Sequence, residues 1–157
     1  MYCIIICGGG GKTTLSKKYS NLFLDIDDFM WNYENKKRSV ILQKYVEDNN
    51  IEAISNIYRD TMISNQELRN DPRIILCHHP ENAIDLNRKI ICICRPTKEL
   101  HNKNIELRTS VLKNFAKKDW YRLSEYYPYQ YNDFYDFNNF IFGCLISIKC
   151  QNLQEYN

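Results

Sequence analysis

Few features of this 157-residue chain point to a fibrous, disordered or membrane-spanning protein. Five glycines and four prolines are too few for a collagen-like or Pro/Gly-rich disordered chain. No apolar stretch approaches the roughly 20 residues that span a bilayer. The N-terminal MYCIIIC is shorter than a signal sequence and runs straight into glycines. Charge of one sign is also lacking: 21 basic residues face 19 acidic ones, for a net +2, so charge alone gives no warrant for a nucleic-acid or membrane partner. Seven cysteines are present, but there is no C-x-x-C pair and no Cys/His ladder, which argues against zinc. Most sit singly in apolar runs, as free thiols of a reducing compartment do. The expectation is a cytoplasmic protein. What remains is globular: 44% hydrophobic, 25% charged and 13% aromatic, at a length suited to a single domain over residues 1–157.

Tyr2 to Cys7 is a continuous Ile-rich run, the pattern of a strand buried on both faces. Gly8 to Gly11 break it, and Thr13 to Asn21 predict a short helix with Leu15 and Tyr19 on one face. A second apolar run, Leu22 to Ile26, ends among Asp25, Asp27 and Asp28. Asn35 to Asp48 look helical, and Ile51 to Leu68 form the cleanest amphipathic pattern. Strands are expected at Arg73–Cys77, closed by His78, His79 and Pro80, and at Lys89–Cys94, closed by Arg95 and Pro96. Thr97 is placed to cap a basic helix running to about Lys118. A Tyr-rich stretch then allows a short strand near Tyr129–Tyr131 and a last helix from about Asp133, although FIFGCLISI also suits a strand. This alternation predicts an α/β fold around a mostly parallel sheet flanked by helices. The strands' carboxyl ends would share one edge, where ligands of such sheets bind. The glycine loop, the Asp25–Asp28 acids, His78–His79 and Arg95 would all meet there.

The most informative segment is IIICGGGGKTTL, Ile4 to Leu15. Successive glycines allow backbone N–H groups to line a concavity for phosphate oxygens. A helix starting near Lys12 adds its positive end, Lys12 reaches terminal phosphates, and the Thr13 hydroxyl can bind Mg²⁺. The segment resembles the Walker A loop of P-loop NTPases, which implies ATP at Gly8, Gly9, Gly10, Gly11, Lys12, Thr13 and Thr14. Ile6 stands where G-x-x-x-x-G-K-[ST] has its first glycine. A related glycine-rich loop occurs in ParA/MinD-like ATPases, where Cys7 would replace their signature lysine.

FLDIDDF, beginning at Phe23, resembles the F-x-D-x-D of small P-loop kinases, the nucleoside monophosphate kinase and shikimate kinase-like group. The resemblance implies a three-layer P-loop fold with a helical lid at about residues 98–125, and ATP and Mg²⁺ as cofactors. It gives Asp25 the metal side together with Thr13, and Asp27, or alternatively Asp28, the acceptor hydroxyl. Lys12, Asp27 and the lid arginine Arg108 would be the catalytic set. Lys36, Lys37 and Arg38 could receive an acceptor phosphate, and Trp31 and Tyr33 could stack on a base. His78 and His79 are read as a polar loop. The function implied is phosphoryl transfer from ATP to a small acceptor, a nucleoside monophosphate or a nucleoside. A polynucleotide 5′-hydroxyl kinase, with nucleic acid as the less favoured partner, and a ParA/MinD-like switch ATPase are the alternatives.

Overall fold

The computed structural model describes residues 1–31 and 36–154. Its centre is β1 (Tyr2–Ile6), whose residues alternate between two faces. Cys3, Ile5 and Cys7 enter one apolar cluster, Ile4 and Ile6 the other. A strand that is apolar at every position can be satisfied only at the middle of a sheet covered on both sides. Here it pairs in parallel with β3 (Ile74–Cys77) and β4 (Lys89–Pro96). β2 (Phe23–Asp25) lies beyond β3, and β5 (Tyr129–Tyr131) beyond β4. The five strands are all parallel in the order β2-β3-β1-β4-β5.

Helices cover both faces. Leu15 of α1 (Lys12–Lys18) and Phe137 and Ile141 of α9 (Phe134–Gln154) pack with Ile4 and Ile6. The Cys3/Ile5/Cys7 face takes Ile26 and Met30 of α2 (Ile26–Met30), Leu42 of α3 (Lys36–Glu47) and Met62 of α4 (Ile51–Ser64). Leu68 of α5 (Gln66–Asn70), Ala83 of α6 (Pro80–Asp85) and Trp120 of α8 (Ser110–Arg122) complete it. The chain therefore leaves β1 over one face toward β2, and leaves β3 over the other face toward β4. The adjacent strands β1 and β3 form the switch point of the sheet, where a crevice opens outside the strand ends.

The sequence pattern needs correction in four places. The helix expected over Ile51–Leu68 is two helices, because Asn65 is extended and its side chain accepts the Leu68 N–H at 2.8 Å. The basic helical region expected to about Lys118 is two helices, α7 (Lys98–Ile105) and α8, the second capped by Thr109 through the Leu112 N–H. Thr97 sits at the N-cap of α7, but its hydroxyl makes no capping bond. α6 follows β3 where no helix was expected, while FIFGCLISI lies in α9, the last helix expected from about Asp133. Tyr33 and its neighbours at 32–35 lie outside the described residues.

Arg88, silent in the sequence, ties this architecture together at the amino end of β4. Its guanidinium donates to the backbone carbonyls of Tyr2, Leu68, Arg69, Asp71 and Arg73, at 2.6–3.2 Å. Among the described residues no helix is long and apolar enough to cross a membrane.

Candidate phosphate-binding site

The glycine loop turns where β1 ends. Gly9 and Gly11 take φ of 80° and 91°, left-handed values that L side chains rarely adopt. At Gly10 a Cβ would lie 2.4 Å from Ile6 Cγ2 and 2.9 Å from the Cys7 carbonyl. Every carbonyl of the loop is held from outside. His101 Nε2 donates to Gly8 O and Asn104 Nδ2 to Gly9 O, both at 2.9 Å. The Tyr131 hydroxyl donates to Gly10 O, and the Leu15 N–H to Gly11 O at 3.0 Å. Burial lowers the pKa of His101 and keeps the ring neutral, with its one proton on the nitrogen that meets Gly8 O. Among the described residues only the Gly10 N–H turns back, to Cys7 O at 3.0 Å. The Cys7 thiol beneath is pushed up to about 12 by burial and stays protonated.

Lys12 opens α1 and is 5% exposed. Its Nζ lies 3.6 Å from Asp27 Oδ2 and 3.3 Å from His78 Nδ1. Burial works against its charge, but Asp27, Asp25 and Asp119 outweigh burial and hold its pKa above the ordinary value. The Thr13 hydroxyl donates to Asp25 Oδ2 at 2.8 Å. Asp25 is fully buried and also caps α2, accepting the Asp27 N–H at 3.1 Å. Burial raises its pKa, although Lys12 pulls the other way.

Asp27 is the hub. Its Oδ1 accepts from His78 Nε2 at 2.8 Å and from the Tyr58 hydroxyl at 2.9 Å, while Oδ2 faces Lys12. Burial would raise its pKa, yet His78 and Lys12 hold it well below the usual carboxylate range. His78 is bracketed by a second carboxylate: its Nδ1 lies 3.4 Å from Asp119 Oδ2, and His79 Nε2 lies 3.1 Å from Asp119 Oδ1. Burial favours neutral imidazole, but the flanking Asp27 carboxylate raises His78 to about 9. Asp119, which burial would raise, is held low by hydrogen bonds from His78 and His79.

Of the expected convergence, the glycine loop, the acids and the histidines do meet, but Arg95 does not join them. Its buried guanidinium stacks 3.9 Å over Trp120 and donates to Trp120 O at 2.8 Å and to Ser124 Oγ, because β4 delivers it beneath α8. His78 is the centre of the cluster rather than part of a passive polar loop. Arg38 spends Nε and Nη2 on the carbonyls of Met30 and Phe29, at the end of α2. Trp31 packs against the core, with its Nε1 donating to Tyr58 OH at 3.0 Å. Asp28 is exposed and accepts from Ser16 Oγ at 3.4 Å, and Thr14 is exposed on the first turn of α1. Arg108 is exposed in the turn after α7, with no ion pair or side-chain hydrogen bond among the described residues. Three site residues were not singled out in the linear pattern: Tyr58, Asp119 and His101. Asp119 could have been noticed as the lone acid in the basic KKDWYR stretch, next to the apolar Ala116–Trp120 stripe.

No protein-family model, curated protein or solved structure matches this chain. The reading of the site therefore rests on its chemistry.

That chemistry suits a nucleotide phosphate and a magnesium ion. The loop offers a backbone whose carbonyls are already engaged, Lys12 a buried ammonium, and the Thr13–Asp25 pair a hydroxyl and a carboxylate. Among the described residues no group of three or more His, Cys, Asp or Glu side chains is arranged to hold a metal. Magnesium needs no such cage, since it commonly takes one or two protein oxygens and fills its shell with phosphate and water. A separate groove of about 450 Å³ opens between the α3–α4 turn (Asn49, Ile51) and α8 (Asn114, Phe115, Lys117), and none of the loop or hub residues lines it.

Proposed function

We propose that this protein is a small P-loop phosphotransferase that moves the γ-phosphoryl group of ATP, with Mg²⁺, to a hydroxyl of a small acceptor. The observation that carries this reading is the close assembly of Lys12, the Thr13–Asp25 pair and Asp27 around a glycine loop whose carbonyls are pinned by the protein. ATP supplies the transferable group, and Mg²⁺ neutralises charge on its oxygens.

The chain's own residues orient and stabilise. The loop N–H groups and Lys12 hold phosphate oxygens, and Thr13 and Asp25 hold the metal side. Lys12 turns from Asp27 to the phosphate, which frees Asp27 Oδ2 for the acceptor hydroxyl, while Tyr58 and His78 keep Oδ1 fixed. Its lowered pKa makes Asp27 a weak base and a firm hydrogen-bond acceptor. That suits a transfer whose barrier is set mainly by position and charge. Arg108, exposed beside the loop-gripping helix α7, is the candidate to close over the phosphates as part of a helical lid. The commitment of Arg38 to α2 carbonyls favours a nucleoside over a nucleoside monophosphate as acceptor.

The test is ADP release from Mg²⁺-ATP across nucleosides, nucleoside monophosphates, shikimate, gluconate and a 5′-hydroxyl oligonucleotide. Release that depends on one acceptor and vanishes in Lys12→Ala supports the reading and names the substrate class. Release indifferent to every acceptor supports a switch ATPase instead.

A further inference from the structure

We propose that His78 is a catalytic residue of this site, a second cation beside Lys12 that contacts the bound phosphate, and that Asp119 is its positioning residue. The inference rests on the phosphate-binding half of the function proposed above.

The two ring nitrogens of His78 are held very differently. Nε2 makes a 2.8 Å bond to Asp27 Oδ1, a normal charge-assisted contact. Nδ1 is held by longer contacts: unprotonated it can accept from the Lys12 ammonium at 3.3 Å, and protonated it donates to Asp119 Oδ2 at 3.4 Å. The ring therefore has one fastened N–H at Nε2 and, as the imidazolium, a second and more loosely held N–H at Nδ1 beside the ammonium that serves the glycine loop. An oxygen that bonds Lys12 Nζ lies within reach of His78 Nδ1 as well.

The groups facing the ring are Lys12 from the loop and α1, Asp27 from α2, Tyr58 from α4, Asp119 from α8, and His79 next in sequence. Two carboxylates against one ammonium favour the imidazolium. Asp119 is locked in turn by His79 at 3.1 Å, so its charge stays aimed at the ring. No bond is made or broken at His78. It keeps both protons and answers negative charge on the phosphate, where a preorganised cation in a partly dry site is effective.

The test uses the full chain and ADP. Ring signals of the three histidines are followed by NMR from pH 6 to 10, with His78 assigned by its loss in His78→Gln. ADP affinity is measured from pH 7.5 to 10, where the ADP phosphates are fully ionised. The expected result is an imidazolium at pH 7 whose Nδ1 signal moves on adding ADP. ADP affinity should fall about tenfold as that proton is lost, and about tenfold in His78→Gln at pH 7.5. In Asp119→Asn the midpoint of both curves moves toward lower pH, a shift that a purely structural role would not produce. A neutral His78 at pH 7, or an ADP affinity insensitive to pH and to His78→Gln, overturns the proposal. If His78→Gln does not fold, the wild-type curves decide.

The outcomes separate the two ideas. Acceptor-dependent turnover that requires Lys12 but ignores His78 refutes this inference alone. His78-dependent ADP binding without any acceptor-dependent turnover refutes the phosphotransferase alone.

Discussion

The charged His78 makes the fold itself pH-sensitive in a direction opposite to ordinary acid denaturation. Its pKa is about 9 in the folded protein against 6.5 for a free histidine. The folded state therefore binds the proton more tightly, and the associated stability is fully present below pH 6.5 and lost as pH rises through 9. The gap of about 2.5 units corresponds to roughly 3 kcal/mol. The side chain is 17% exposed, so solvent screening removes little of it. Between pH 7 and 8.5 the expected loss is roughly 2 kcal/mol. That window avoids two other contributions. His101, whose pKa is lowered, adds stability only as pH rises toward 6.5, and Cys7, raised to about 12, costs stability only once unfolded thiols ionise near 9. Urea unfolding followed by tryptophan fluorescence at pH 7, 7.75 and 8.5 reads the slope. His78→Gln, which cannot titrate, should flatten it. A wild-type stability constant within about 0.5 kcal/mol over this range, or an equal slope in His78→Gln, would refute the argument that Asp27 and Asp119 hold a proton on this ring.

Three further outcomes follow from the same geometry. Gly10→Ala drives a methyl into Ile6 Cγ2 and the Cys7 carbonyl; it should cost about 1–3 kcal/mol in thermal unfolding and abolish ADP binding in calorimetry. Arg88→Leu strips five backbone carbonyls of one charged donor and should cost about 4 kcal/mol, read as a fall in Tm of roughly 8–16 °C, with Arg88→Lys falling between. Asp25→Asn should leave ADP binding without metal within about threefold of wild type and remove its enhancement by Mg²⁺, measured by paired titrations with and without the ion.

The local part of the site was readable because its residues are neighbours in the chain. Ile4 to Thr13 announce a buried strand, a tight turn and a helix start through composition alone, and Asp25 and Asp27 stand at the next strand end. Each of those signals is a short-range rule of backbone geometry, and the structure places Lys12 against Asp27, and Thr13 against Asp25. Errors came where a short-range rule was overruled by a local competitor, as when the Asn65 side chain ended a helix that the apolar spacing would have continued.

The rest depended on which strands become neighbours. Nothing in the sequence states that β3 lies between β1 and β2, yet that order puts His78 between Lys12 and Asp27. Tyr58 and Asp119 reach the same few ångströms from α4 and α8, with 31 and 41 residues between each and its partner on Asp27 or His78. His101 and Tyr131 grip the loop across gaps of 93 and 121 residues. An α/β chain with a glycine-rich turn, a lysine and two acids poised to meet there follows from periodicity, backbone freedom and spacing alone. The tertiary structure alone decided that this lysine is buried beside a charged histidine, and that the loop's carbonyls are pinned. Charge states and hydrogen-bond partners are set by what the folded chain brings within about 4 Å, whatever the distance along it.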